Sequence, residues 1–357
     1  MAKLSRREFI KISAIGVGSL TVGQFLAACA QALSTTISPT STSSNPVSPS
    51  TQTNTPFAPA VNAPPAASTA EATAVPPTET ATALSIPDLV VARGGEPEAL
   101  VRQALAAMGG LERFVAKGAN VIVKPNICWP YPYQNAATTN PWVVGTLVKM
   151  SFEAGAASVR VMDYPFSDLS IKDVYTISGI KDQVEAAGGE MVYMPPHFKF
   201  VKTPIPNGVD LKETEVYEDI LKADVLINVP IAKTHSSTKL TLGMKNLMGV
   251  IWDRPMIHFN FGQRIADLTS LIRPQLTVVD AVRILVRNGP TGGGDLNNVK
   301  EMDTVIVSPD IVAADSYATS LFGLQPTDIK YISAAAAMGL GRMDLNNLMI
   351  KKISVGS

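Results

Sequence analysis

Two lysines and two histidines sit close together in one short stretch of this chain. Lys233-Thr234-His235 follows an apolar run and Pro230, Lys245-Asn246 comes behind Gly243, and His258 follows in Met256-Ile257-His258-Phe259. Histidine titrates nearest neutrality, so it suits proton transfer or metal ligation. Lysine suits the holding of a carboxylate or phosphate, or covalent attachment of a carbonyl compound through its amine. His235, Lys245 and Lys233 are therefore the candidate catalytic residues. Structural roles compete with these: a single histidine is more often a hydrogen-bonded fold residue than a catalyst. His197, in Pro195-Pro196-His197-Phe198, reads as a loop residue and Lys239 as a solvated one.

A second group stands where apolar runs stop. Val121-Ile122-Val123 gives way to Lys124-Pro125-Asn126, the run ending at Met162 to Asp163, and Val278-Val279 to Asp280. In open α/β sheets, ligands lie beyond the carboxyl ends of the strands. Lys124, Asn126, Thr138, Thr139 and Asn246 are accordingly the candidates for substrate binding. His258, Asp163 and Asp280 are the candidates for holding a divalent metal. Cys128 offers either a reactive thiol or a buried, inert one. Gly289-Pro290 and Gly292-Gly293-Gly294 make a loop whose N–H groups could cradle an anion, though neither a Walker pattern nor a dinucleotide fingerprint occurs.

The elements that must position these residues are short β-branched runs alternating with amphipathic stretches. Strands are predicted over 121–124, 158–162, 190–193, 225–229, 276–279, 304–307 and 352–355. Helices are predicted over 98–108, 141–154, 172–187, 263–272, 312–321 and 327–338. This alternation predicts an α/β fold over 86–357: a mostly parallel sheet flanked by helices, in one domain or two lobes.

The chain opens differently. Ser5-Arg6-Arg7-Glu8-Phe9-Ile10-Lys11 precedes an apolar run over 12–28, and Leu26-Ala27-Ala28-Cys29 closes it. The pair Arg6-Arg7 with the following Phe and Ile resembles the twin-arginine export consensus, and the closing residues resemble a lipobox. The run of about 17 residues is at the bottom of the membrane-spanning range and is diluted by Ser, Gly and Thr. The expectation is a signal peptide over 1–29, with Cys29 acylated. The twin-arginine translocase and a lipid membrane are then partners, and the protein is anchored on the outer side of the cytoplasmic membrane, in the cell envelope. Residues 30–85 are Ser, Thr, Pro and Ala with hardly an aromatic, which predicts a disordered linker. As a coil it spans roughly 40 Å.

Composition excludes two classes. Lys+Arg and Asp+Glu are both 30, so the broad basic face of a nucleic-acid binder is not expected. With two cysteines, Cys29 and Cys128, the chain cannot build an iron–sulfur cluster of its own.

Several separated motifs resemble one family, the domain-of-unknown-function family numbered three-six-two. They are Lys124-Pro125-Asn126, Ala137-Thr138-Thr139-Asn140-Pro141, Asn228-Val229-Pro230 with Lys233-Thr234-His235, and the run from Thr241 to Gly249. Asn288-Gly289-Pro290-Thr291-Gly292 and Ala313-Ala314-Asp315 fit as well. Members of that family often carry a twin-arginine leader or a fused ferredoxin module, and this chain lacks the cysteines of the latter. The layout from Ala223 through His235 to Lys245 is also similar to the nickel-pincer lactate racemase family. That resemblance implies a proton-shuttling role for His235, attachment of the pincer cofactor to Lys245 and nickel binding by His258. The glycine-rich stretch before the lysine is only partly present, Asn246 departs from the pattern, and a second shuttling histidine has no counterpart upstream.

The residues thus point to an enzyme acting on a small anionic substrate through a His/Lys site. Two alternatives use the same residues differently: a ligand-binding module without turnover, and an accessory to a separate iron–sulfur redox partner. The first requires His235, Lys233, Lys245 and the strand-end residues to meet at one concave surface.

Overall fold

Runs of Val and Ile frame the molecule, which a computed structural model describes over residues 85–194 and 197–356. The leader with Arg6 and Arg7, the lipobox Cys29 and residues 30–84 lie outside the described residues. The parallel heart of the sheet is built from β2 (Asn120–Pro125), β3 (Ser158–Val161), β4 (Glu190–Met191), β7 (Val225–Val229) and β10 (Leu276–Leu285). Around it stand β1 (Leu89–Arg93), β8 (Ile231–His235), β9 (Lys239–Thr241), β11 (Val299–Ser308) and β12 (Ile350–Ser354). The order is β12-β1-β11-β10-β7-β2-β3-β4, with β8 beside β10 and β9 beside β8. Only the pairs β1–β11, β10–β11 and β8–β9 run antiparallel within this sheet. A separate antiparallel ribbon joins β5 (Phe200–Pro204) to β6 (Glu213–Tyr217).

Both faces of the sheet are covered, as parallel strands require. Successive side chains point to opposite faces. Val121 and Val123 therefore enter one apolar cluster while Ile122 enters the other, and Val225 and Ile227 part from Leu226 in the same way. One face packs against α1 (Pro97–Ala107), α2 (Pro141–Glu153), α3 (Ile171–Ser178) and α4 (Ile180–Ala186). The other packs against α7 (Phe261–Leu271), α8 (Ile311–Thr319) and α9 (Lys330–Ala337), with two short helices, α5 (Glu218–Lys222) and α6 (Gly243–Asn246), between them in the chain. Proline at the first position of α1 and α2 fits a site whose N–H has no helical partner, and Asn140 caps α2 by accepting from Trp142 N–H at 3.0 Å.

Some expectations need correction. The helix predicted over 172–187 is two, because Gly179 at φ 76° ends α3 in the left-handed region. The strands predicted at 276–279 and 304–307 are parts of ten-residue strands, the first buried almost throughout and the second buried only over its last five residues. β1, β5, β6, β8 and β9 were not foreseen. Lys233 and His235 accordingly lie on a strand rather than in a loop after one. The described residues pack as one domain, without a second lobe.

One consequence of the topology locates the site. From β2 the chain moves outward through β3 to β4, then returns to place β7 and β10 on the other side of β2. The gap between β2 and β7 is a topological switch point, where connections diverge and leave a crevice at the carboxyl edge.

Candidate active site

At that crevice, Lys124 near the end of β2 lies in register with Asn228 of β7. Its ammonium is buried and contacts Asp163, just beyond β3, at 2.7 Å. It also donates to Pro125 O at 2.8 Å and to Asn246 Oδ1 at 3.1 Å. Asn246 is a junction. Its Oδ1 accepts from Asn126 Nδ2 at 2.9 Å as well, and its Nδ2 donates to Asn228 Oδ1 at 2.9 Å. Asn126 Oδ1 in turn accepts from Lys233 Nζ at 3.1 Å, and Ala137 O accepts from the same ammonium at 2.6 Å. Each buried polar group of this floor has a partner, as low-dielectric burial demands.

Neighbouring elements fix the floor. Asp163 accepts from Ile127 N at 2.6 Å and Tyr164 N at 3.0 Å. A Cβ at Gly249 would collide with Asp163 Oδ1 and crowd Lys124 Nζ, so only glycine lets this backbone approach the ion pair. Asp315, at the middle of α8, accepts from Gly243 N at 2.6 Å and Met244 N at 2.9 Å. It thereby anchors the start of α6, the helix that carries Lys245 and Asn246.

Above the floor lies a cavity of about 390 Å³, whose wall includes Lys124, Asn126, Asp163, Lys233, His235, Lys245, Asn246 and His258. These eight sequence-predicted residues therefore share one concave surface. Thr138, Thr139 and Asp280 do not line it. Thr139 Oγ1 accepts from Asn126 N and donates to Val229 O, both at 2.8 Å, tying the β2 loop to β7. Thr138 is buried behind. Asp280 accepts from Asn140 N at 2.7 Å and Val282 N at 3.0 Å, which holds the entry to α2. Burial lifts its carboxyl to about 7 against those two donors.

The expected metal set is not assembled. Asp163 is committed to Lys124, Asp280 stands outside the cavity, and no three His, Cys, Asp or Glu side chains cluster among the described residues. The His258 ring packs on Phe261, ring centroids 4.4 Å apart, with Lys245 and Arg254 near enough to act on it. His258 and His235 line the same cavity, without a third His, Cys, Asp or Glu grouped with them among the described residues.

Four cations, Lys124, Lys233, Lys245 and Arg254, face the cavity against one carboxylate, Asp163, an excess of three positive charges when all are ionised. Burial and mutual repulsion temper this. Burial lowers Lys124 despite Asp163 beside it. Burial also brings Lys233 to about 8, Cys128 opposing and Lys245 adding to the fall. Lys245 likewise falls to about 8 by burial, with Arg254 contributing. Unlike the other two lysines it has no hydrogen-bond or ion-pair partner among the described residues. Burial and then the nearby Lys245 and Lys233 drive His235 to about 3, so the ring is neutral across the physiological range. Its Nδ1 accepts from Ser237 N at 3.1 Å, which leaves the ring proton on Nε2. His235 in this state donates a hydrogen bond. His258 is lowered by burial and by Lys245.

Residues to which the sequence reading gave no place in the site, Cys128 among them with its role left open, complete the wall. Cys128, Thr241 and Gly249 line the cavity, and Trp129, Tyr164, Phe166 and Arg254 line both it and a wider outer recess of about 970 Å³. Arg254 is set by donating to Tyr164 O at 2.8 Å and Pro165 O at 3.0 Å, its guanidinium 4.8 Å from the Tyr164 ring centre. Cys128 and Trp129 come just after Lys124-Pro125-Asn126, with Ile127 between, and that strand end is the signal that could have marked them.

The family model described as domain of unknown function (DUF362) matches residues 121–320, a span that holds every wall residue named above. A thylakoid-associated protein of Synechocystis sp. (strain ATCC 27184 / PCC 6803 / Kazusa) is 25% identical over 251 residues, which are 68% of this chain and 75% of that protein. Among solved structures, the lactate racemase apoprotein from Thermoanaerobacterium thermosaccharolyticum aligns with a TM-score of 0.37 at 12% identity, over 60% of this chain and 53% of that one. A Thermotoga maritima protein solved by structural genomics aligns with a TM-score of 0.35 at 13% identity, over 64% of this chain and 60% of that one. The chain thus spans a little over half of each of those two structures.

Proposed function

We propose that this chain, which belongs to the DUF362 family, is an enzyme acting on a small anionic substrate at the β2/β7 crevice. One observation carries the reading: three lysines converge on one concave cavity, and the one on α6 is left without a partner beside a neutral histidine. Lys233 and Arg254 supply a fixed positive field for a carboxylate or phosphate. His235 directs an N–H toward charge developing on a substrate oxygen, and Lys245 supplies an amine that is part neutral near pH 8.

Calorimetry with oxalate on the full chain tests the anion site. Binding should be strongest below pH 8 and should weaken above it, as Lys233 and Lys245 lose their protons. Absence of binding at pH 7 sinks the reading. Turnover is tested by proton NMR of short carboxylic acids in D2O, where exchange at the carbon next to the carboxylate should depend on His235 and Lys245. Binding without any exchange would instead assign a ligand-binding module.

Export through the twin-arginine translocase and anchoring through an acylated Cys29 belong to the same proposal. The Arg6-Arg7 leader supports them, and the thylakoid association of the cyanobacterial relative supports a membrane location. Substituting Cys29→Ser should move the mature protein from the membrane to the soluble fraction, and unchanged sedimentation with the membrane would argue against the anchor.

A further inference from the structure

Several polar side chains on the cavity wall, His258 among them, have no hydrogen-bond partner among the described residues, and two of these bear on covalent chemistry. One is the Lys245 amine. The other is the Thr241 hydroxyl, which is only 3% exposed and faces Lys233 across β8–β9. An unpaired hydroxyl in a buried wall is unfavourable, and its placement beside a ligand cavity marks where a ligand oxygen would bind. Lys124 and Lys233 are different: each ammonium is spent on carbonyl, amide or carboxylate oxygens. Lys124 spends all three N–H groups on acceptors, while Lys233 spends two and keeps one for an anion; an ammonium held by acceptors in this way cannot present a lone pair. Only Lys245 can.

We infer that Lys245 forms an imine with the carbonyl carbon of a short 2-oxo or formyl carboxylate held in this cavity, an inference that rests on the anion-binding reading above. The volume of about 390 Å³ admits such a molecule. In the step, the Lys245 nitrogen lone pair forms a C–N bond while the carbonyl π pair moves onto oxygen. The two amine protons pass to that oxygen, the C–O bond breaks, and one water leaves. Amine and carbonyl become imine and water, with no oxidant or reductant consumed. His235 Nε2–H and the Thr241 hydroxyl are the donors available to the oxygen as its charge grows. The carboxylate rests against Lys233, whose ammonium stays charged below about 8. Burial brings the Lys245 amine into the same range, so near neutrality a useful fraction is unprotonated.

The test uses the full chain, glyoxylate as the carbonyl probe, and borohydride to reduce any imine. Reduction leaves a stable carboxymethyl group on the nitrogen, which peptide mass mapping locates. Lys245 should be modified at least about tenfold faster than lysines on the surface, because burial brings its amine to about 8 while an ordinary lysine titrates at about 10.5. Oxalate should slow the reaction, and the rate should climb with pH toward 8. The adduct should vanish from this peptide in Lys245→Met, while Lys202→Arg, on the exposed β5–β6 ribbon, keeps it. Mapping on the wild-type chain does not depend on any variant folding. Modification spread over surface lysines with Lys245 untouched overturns the inference. Oxalate binding with no adduct at Lys245 also overturns it while leaving the anion site standing, whereas failure to bind oxalate at all removes the reading beneath both.

Discussion

The floor and the rim of the crevice use the same residue types in opposite ways. On the floor, Lys124 and Lys233 are each about 1% exposed or less, and both are held by two or more oxygens. On the rim, Lys245 sits ten residues from His235 in sequence, faces the same cavity, and holds nothing. The difference lies in which element delivers the side chain. Lys124 and Lys233 come from strands whose neighbours supply asparagines and carbonyls within reach. Lys245 comes from one turn of helix tethered at its other end by Asp315. Charge locked by partners organises the crevice, while charge left free is available to a substrate. Removing floor groups should therefore damage stability first, and removing rim groups should damage function first.

The sharpest way to break that division is to take away the floor's only carboxylate. Asp163→Asn strands a buried ammonium and weakens the acceptor for Ile127 N and Tyr164 N, so we expect a loss of about 3–5 kcal/mol. Urea unfolding followed by circular dichroism measures it. A loss under about 1 kcal/mol would mean that Lys124 finds water or sheds its proton, and the floor would not be the rigid part. Next comes the junction. Asn246→Ala removes the acceptor shared by Lys124 and Asn126 and the donor to Asn228, and should cost about 1–3 kcal/mol in the same assay. A change near zero would show that the asparagine chain carries no strain-bearing order.

The same contrast explains what could be read from the chain alone. Lys124, Asp163, Lys233 and His235 were recognisable because polar residues after Val-rich runs mark the carboxyl edge of a sheet. The helix starts were recognisable from proline, as at Pro97 and Pro141. β8 was not. Pro230 looks like a stop, yet β8 resumes pairing immediately, against β10 some fifty residues away. Such a partner has no local signature. β5 and β6 escaped because Lys202, Glu213 and Glu215 dilute their alternation, and a ribbon lying off the main sheet tolerates that. The roles of Asp163 and Asp280 were open for a deeper reason. A carboxylate at a strand end serves a metal, an ammonium or a backbone N–H equally well, and only distances choose: Lys124 for the first, Asn140 and Val282 for the second. Sequence also says nothing of what a lysine does not touch, which is the property that sets Lys245 apart.

The smallest expected stability effect is at Lys245, and its sign is the informative part. Burial holds the folded amine near 8, below its ordinary 10.5, so between those values the unfolded chain binds the extra proton. Stability should then rise as pH climbs from about 8 toward 10.5, and the penalty should be complete below about 8. Lys233 contributes in the same direction. Lys245→Met keeps the volume and discards the charge, so at pH 7 it should be neutral or stabilising by up to about 1 kcal/mol. Its unfolding free energy should climb less steeply above pH 8 than that of the unsubstituted chain, because the share of Lys245 in the slope is gone while those of Lys233 and Lys124 remain. Oxalate binding should fall in the same variant. A Lys245→Met chain that loses several kcal/mol would place this lysine among the structural cations and erase the distinction between rim and floor. Unchanged stability with lost binding is the result that a free amine, held ready by a rigid floor, requires.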